Sequence, residues 1–190
     1  MKETIHYLLK ETNRKSLALR VNAEGEIEVL APKGCPKRDV DAFVLRSKDW
    51  IEKQRAKREA SRARAEEQGV ITTEEELHAL SEKMIEALKT KLPHYAKLIG
   101  VTYGRVTVRN QRTKWGSCSA QGNLNFNVLL MLAPEDVLDY VVVHELCHRK
   151  HMDHSKDFWA LVESVLPDYK KSRKWLKDNG ETLQRRLTGQ

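Results

Sequence analysis

Residues 134–151 read PEDVLDYVVVHELCHRKH, a stretch with no glycine, no proline after its first position and apolar residues on nearly every side. Such a run predicts a helix buried over most of its surface, opened by Pro134 at a favoured first helical position, with Glu135 and Asp136 near its positive end. His144 and His148, four residues apart, then project from one face, one turn above the other, and can take one metal ion. Glu145 lies about 100° around the helix from His144, where a carboxylate can approach a metal-activated water without being a ligand. That is the position of a general base.

Polar groups on a buried helix are costly, and four of the seven histidines of the chain fall between His144 and His154. A catalytic zinc site takes three protein ligands and leaves the fourth position to water, whose pKa the metal lowers to about 7. His151 and His154 compete for the third place. If the helix continued, His151 would stand nearly in line with the other two at about 1.5 Å of rise per residue, and a row cannot close a tetrahedron. His154, beyond the expected helix end, can return to the metal from another direction, so it is the preferred ligand. Glu163 and Asp168 are more distant candidates. Cys147 points away from the shared face and reads as a small buried thiol. The spacing HExxHxxxxxH is shared with the metzincin proteases, which carry glycine at the position of His151 and a methionine turn downstream. Here the last methionine is Met152, inside the ligand loop, which argues against that class.

The rest of the chain frames this helix. SLALRVNAEGEIEVLA, residues 16–31, alternates apolar and polar positions on either side of Glu24-Gly25, the pattern of a β-hairpin. The stretch 39–68 then reads as one long helix whose apolar residues stop at Ile51, apart from alanines, so its second half is expected to project as a charged arm. A further helix opens at Thr72 or Thr73 with an acidic first turn and places Leu77, Leu80, Met84, Ile85 and Leu88 on one face. Val106 and Val108 alternate as a strand, and NLNFNVLL after the turn at 120–122 reads as its antiparallel partner. The expected class is α+β, with residues 1–69 forming the hairpin and arm and residues 70–190 the domain that carries the chemistry.

Charge separates the same regions. The net charge is +7, but 46–64 holds eight basic against three acidic residues and 170–190 seven against two, whereas 101–169 is nearly neutral. A polyanion would meet the flanks, so nucleic-acid binding by the basic helix around a structural zinc is one reading. Apolar runs such as LLMLA (Leu129–Ala133) are far too short to span a bilayer. The N-terminus shows no apolar core followed by a cleavage site, and three cysteines without paired spacing fit free thiols. A cytoplasmic location without membrane attachment is expected.

The run RTKWGSCSAQGNLNFNVLLMLAPEDVLDYVVVHELCHRKHMDHSKDFW, with PDYKKSRKWLK after it, resembles the YgjP-like metallopeptidase family, zinc hydrolases related to the SprT-like proteases. The hairpin with KSLALRV and the Trp50-Ile51 pair fit it too, so the resemblance covers nearly the whole chain. It implies a zincin-like α+β domain with His144, His148 and His154 as zinc ligands, Glu145 as base, and a peptide or protein as substrate. WGSCS, Trp115 to Ser119, precedes the strand expected beside the metal helix. One reading of it is structural, with Trp115 in the core, Gly116 in a tight turn and the serines as turn or capping residues. The other has Arg112 and Lys114 reach the cleft to hold a substrate anion or oxyanion, while the strand edge at Asn125 and Asn127 pairs with an extended peptide. Asp139 and Asp157 are candidate partners for a ligand imidazole. A metal-dependent nucleotide or phosphoester hydrolase is the alternative enzyme, since the same water could attack phosphorus, although no glycine-rich phosphate loop supports it.

Overall fold

The computed structural model describes residues 5–22, 25–71, 73–111 and 113–187. The chain separates into two compact units, Met1–Ala63 and Arg64–Gln190. No helix among the described residues is long and apolar enough to cross a membrane.

In the first unit, β2 (Ala18–Val21) and β3 (Ile27–Pro32) pair antiparallel with Ala18 opposite Leu30. This is the expected hairpin, although Glu24 of its turn lies outside the described residues. β3 is buried along most of its length because a further strand, β1 (Leu8–Thr12), pairs parallel to its other side. Ile27, Val29 and Ala31 pack with Val40 and Val44 of α1 (Lys37–Arg46) and with Ile51 of α2 (Lys48–Glu67). The single helix expected over 39–68 is therefore two. Ser47 breaks it: its amide donates to the carbonyls of Phe43 and Val44, and its hydroxyl donates to Phe43 O at 2.9 Å, competing with the regular ladder. The arm is also less solvated than its composition suggests, since Ser61 and Ala65, small residues four apart, are buried.

The second unit opens with α3 (Glu74–Ile99), started by a capping box in which the Thr73 hydroxyl accepts from Glu76 N and the Glu76 carboxylate accepts from Thr73 N, both at 3.1 Å. It runs through Pro93 to Gly100, whose left-handed backbone ends it. Met84, Leu88, Leu92, Ala96 and Ile99 are buried, but Ile85, expected on that face, is half exposed. Three short strands follow in spatial order β4-β6-β5: β4 (Val106–Arg109), β5 (Gly116–Cys118) and β6 (Leu124–Asn127).

β4 and β6 were expected to be antiparallel neighbours, but they pair parallel, with Val106 opposite Leu124. The antiparallel partner of β6 is β5, formed by the WGSC segment and joined through a turn at Ser119–Asn123, where Asn123 N donates to the Ser119 hydroxyl at 3.1 Å. Gly116 thus sits in a strand and not in a tight turn. The chain crosses from β4 to β5 past the end of β6, and Asn127 pins the crossing. Its amide nitrogen donates to Gln111 O at 2.7 Å and Lys114 O at 3.0 Å, while its amide oxygen accepts from Leu129 N. Asn127 is fully buried, so Asn127→Ala leaves Lys114 O and Leu129 N without these partners and should cost about 2–3 kcal/mol, read as a lower urea midpoint at unchanged slope.

A 3-10 turn (Val128–Leu132) leads into α4 (Glu135–Cys147), followed by α5 (Lys156–Val165) and α6 (Tyr169–Arg185). α4 is the hub: it packs on α3, β5, α5 and α6, which explains its apolar residues on nearly every side. Three short strands packed with helices make the domain α+β, the class expected.

Candidate metal centre

The buried length of α4 fixes the directions of His144, Glu145 and His148. The helix stops at His148, where the chain turns and returns; Ser155 caps α5 by accepting from Phe158 N, and Asp153 accepts from Ser155 N at 3.2 Å. This tight loop sets His154 in front of the two helical histidines. Nε2 of His154 lies 3.1 Å from Nε2 of His144, and one nitrogen from each of His144, His148 and His154 lies within 4.8 Å of the others. Phe158, fully buried, floors the group, its ring centre 4.9, 4.6 and 4.9 Å from those of His144, His148 and His154. Trp159 stacks on His154 at 5.6 Å.

His151 takes part through its backbone. Its carbonyl oxygen, which can only accept, lies 2.9 Å from Nδ1 of His148. Nδ1 is therefore the protonated nitrogen, and the lone pair of Nε2 faces the cluster. The His151 imidazole is not in the cluster among the described residues, nor are Glu163, paired with Lys170, and Asp168, paired with Lys171. Asp139 is not a partner of a ligand imidazole either: Lys91 holds it at 2.7 Å, and Asp157 is exposed.

The donor set fits a zinc ion. On a tetrahedral ion with nitrogen at about 2.0–2.1 Å, ligand atoms stand roughly 3.3 Å apart, close to the 3.1 Å between His144 and His154. Two imidazole lone pairs this near repel each other unless a proton or a cation lies between them. Burial, and then the neighbouring His148 and His154, push His144 down to about 3, and burial lowers His148 as well. Both are thus neutral near pH 7, the form that binds metal.

Glu145 turns toward β5. Only 5% of it is exposed, and burial pushes its carboxyl up to about 8, opposed by Lys114. Its neighbour explains Gly116, since a Cβ there would lie 2.6 Å from Oε1 and 2.7 Å from Cγ of Glu145. Gly116→Ala should displace the carboxylate and lower kcat by about tenfold or more at unchanged metal content. Full activity in that variant would show that the carboxylate tolerates the shift.

A cavity of about 360 Å³ opens beside Glu145 and His144, lined by Trp115, Tyr140 and Leu176 together with Lys114 and Arg173. Burial pushes the Tyr140 phenol up to about 12, so it stays a donor. Trp115 packs against the core, as its structural reading has it, and also lines the cavity. Lys114 lines the cavity, and Arg112 lies outside the described residues. Asn125 and Asn127 are not at a strand edge, because β6 is the middle strand. Asn125 is bonded to Thr107 and Ser117, and Asn127 pins the crossover. Tyr140 could have been found from its place one turn before His144. Gly116 and Arg173 carry no local signal of their proximity.

A fold of this kind with clustered imidazoles and a buried carboxylate defines a metal-dependent hydrolase, and comparison with known proteins gives its family. The YgjP-like metallopeptidase domain matches residues 15–84 and 72–179, and the chain belongs to that family. Among solved structures it is similar to the metallopeptidase zymogen abylysin of Pyrococcus abyssi, 26% identical over 47% of this chain and 93% of that one, with a TM-score of 0.43. It is also similar to the zymogen jannalysin of Methanocaldococcus jannaschii, 16% identical over the same shares, with a TM-score of 0.42. No curated protein sequence matches it. Three cysteines are free thiols.

Proposed function

We propose that residues 70–190 form a zinc-dependent peptidase domain in which His144, His148 and His154 hold the metal and Glu145 is the general base. The approach of His154 Nε2 to His144 Nε2 at 3.1 Å carries this reading, because it joins residues ten positions apart into one donor set. Zinc bound there supplies a water of lowered pKa and polarises the scissile carbonyl. The chain supplies the rest. The His151 carbonyl keeps His148 in its binding tautomer, and Phe158 excludes solvent from behind the rings. The Glu145 carboxylate accepts the proton of the attacking water and returns it to the leaving amine, a role that burial favours by making the carboxylate more basic than usual. β5, the outer strand on the Glu145 side, is the strand along which an extended peptide can lie.

The test is turnover by zinc-loaded protein on unstructured peptides, denatured proteins and nucleoside triphosphates, with Glu145→Gln as control. Peptide cleavage that the variant lacks is expected. Hydrolysis of the triphosphates alone would replace this reading with phosphoanhydride chemistry.

A further inference from the structure

The cavity beside Glu145 is electrostatically one-sided. Lys114, Arg173 and Lys177 line it, and Glu145 is the only carboxylate among its lining residues. Arg173 is not a loose surface cation. Its guanidinium lies 4.5 Å over the ring of Trp159, which is itself stacked on Tyr169 at 5.4 Å and on His154 at 5.6 Å. The α5 helix therefore holds the planar fork in place through an aromatic stack that ends on a candidate metal ligand. Among the described residues Arg173 makes no ion pair with a carboxylate, whereas the charge of Lys114 acts on the Glu145 carboxyl. Trp115, Tyr140 and Leu176 give the cavity apolar walls, so the cations line a space large enough for a side chain.

We infer that Arg173, with Lys114 lining the same cavity, forms a subsite for an anionic side chain next to the scissile bond, making the enzyme selective for peptides with aspartate or glutamate there. An oriented guanidinium recognises a carboxylate through two parallel hydrogen bonds, and a low-dielectric wall strengthens them. An uncharged amide of the same shape forgoes that recognition. The inference rests on the peptidase reading for its substrate but not for the existence of the anion subsite, and two measurements keep these apart.

In the first, zinc-loaded wild type cleaves peptides that differ only in carrying Asp, Asn or Lys on either side of the susceptible bond. Asp is expected to exceed Asn in kcat/KM by about tenfold or more. Arg173→Gln should bring that ratio near one, Arg173→Lys should keep part of it, and Arg173→Glu should shift the preference to Lys. Equal kcat/KM for Asp and Asn in wild type, or an undiminished ratio in Arg173→Gln, overturns the proposal. In the second, the zinc-loaded Glu145→Gln protein is titrated by calorimetry with acetyl-Gly-Asp-Gly-amide, its Asn counterpart and inorganic phosphate. Binding of the Asp peptide alone, lost in the double variant with Arg173→Gln, supports the subsite even if no peptide is ever cleaved, in which case the peptidase reading fails and this one stands. Binding of phosphate but not of the Asp peptide makes the subsite one for phosphoryl groups and overturns the assignment to acidic peptides, as does binding of none of the three.

Discussion

Glu145→Gln is expected to keep its zinc and lose roughly 10²- to 10⁴-fold in kcat. Glutamine has the shape of glutamate, so the fit against Gly116 is retained, but its amide cannot take a proton from water. Metal content after dialysis and kcat on a cleaved peptide measure the two halves of the expectation. Retained turnover would remove Glu145 from the base position. The same substitution should stabilise the metal-free protein, and the sign follows from burial. The carboxyl is raised from an ordinary 4.5 to about 8. Its contribution to stability is thus fully present below pH 4.5 and is lost as pH rises toward 8. By pH 7 this loss is on the order of 3 kcal/mol. His144 acts in the opposite direction. It is lowered from 6.5 to about 3, so its contribution is present above pH 6.5 and lost as pH falls toward 3. In melts of chelator-treated protein, the advantage of Glu145→Gln over wild type should grow between pH 5 and pH 8. An advantage independent of pH would mean that the glutamate is not destabilised by burial of its charge.

His154→Ala should weaken zinc binding by more than about 100-fold, beyond the 10- to 100-fold typical for outer partners of a metal site. His151→Ala should retain the metal, because the atom His151 lends to the site, its carbonyl oxygen, survives the substitution. Competition with a chromophoric chelator measures both affinities. Zinc should also raise the melting temperature of wild type and His151→Ala but scarcely that of His154→Ala, since a ligand stabilises the fold only as far as it binds. The reverse pattern would transfer the third ligand to the His151 imidazole.

The parts of the molecule readable from sequence were those whose signal is local. Helical periodicity places His144 and His148 on one face, whereas the in-line argument against His151 supposes a helix that continues, and the helix ends at His148. The acidic first turn after Thr72 or Thr73 marks the start of α3, and the β2–β3 alternation marks the hairpin although β3 is buried along most of its length. The misreadings are cases where tertiary partners outvoted local pattern. β1 is exposed along most of its length and shows no alternation; only its pairing with β3 makes it a strand. β4 and β6 have the alternation of neighbours, but periodicity carries no direction, and the crossover pinned by Asn127 makes them parallel. WGSC looks like a turn because it holds glycine and serine, yet Gly116 is small on account of Glu145, a residue 29 positions later. Pro93 within α3 and the break at Ser47 are likewise decided by context. Arg173 joins the cavity only because α6 folds back beside α4.

The contact of β5 with Glu145 and the aromatic floor differ in how far along the chain they reach. Tyr140, the three clustered histidines, the His151 carbonyl, the Ser155 cap, Phe158 and Trp159 fall within twenty consecutive residues, so the metal cradle needs only α4 and α5 to meet. Glu145 reaches its working position only when β5 has been laid against the helix, which brings it against Gly116, 29 positions earlier. During folding, short-range contacts form before long-range ones reward their loop closure. A nascent chain of this protein is therefore expected to gain the ability to capture zinc before it gains the ability to cut, and so to pass through a metal-loaded state that is catalytically silent.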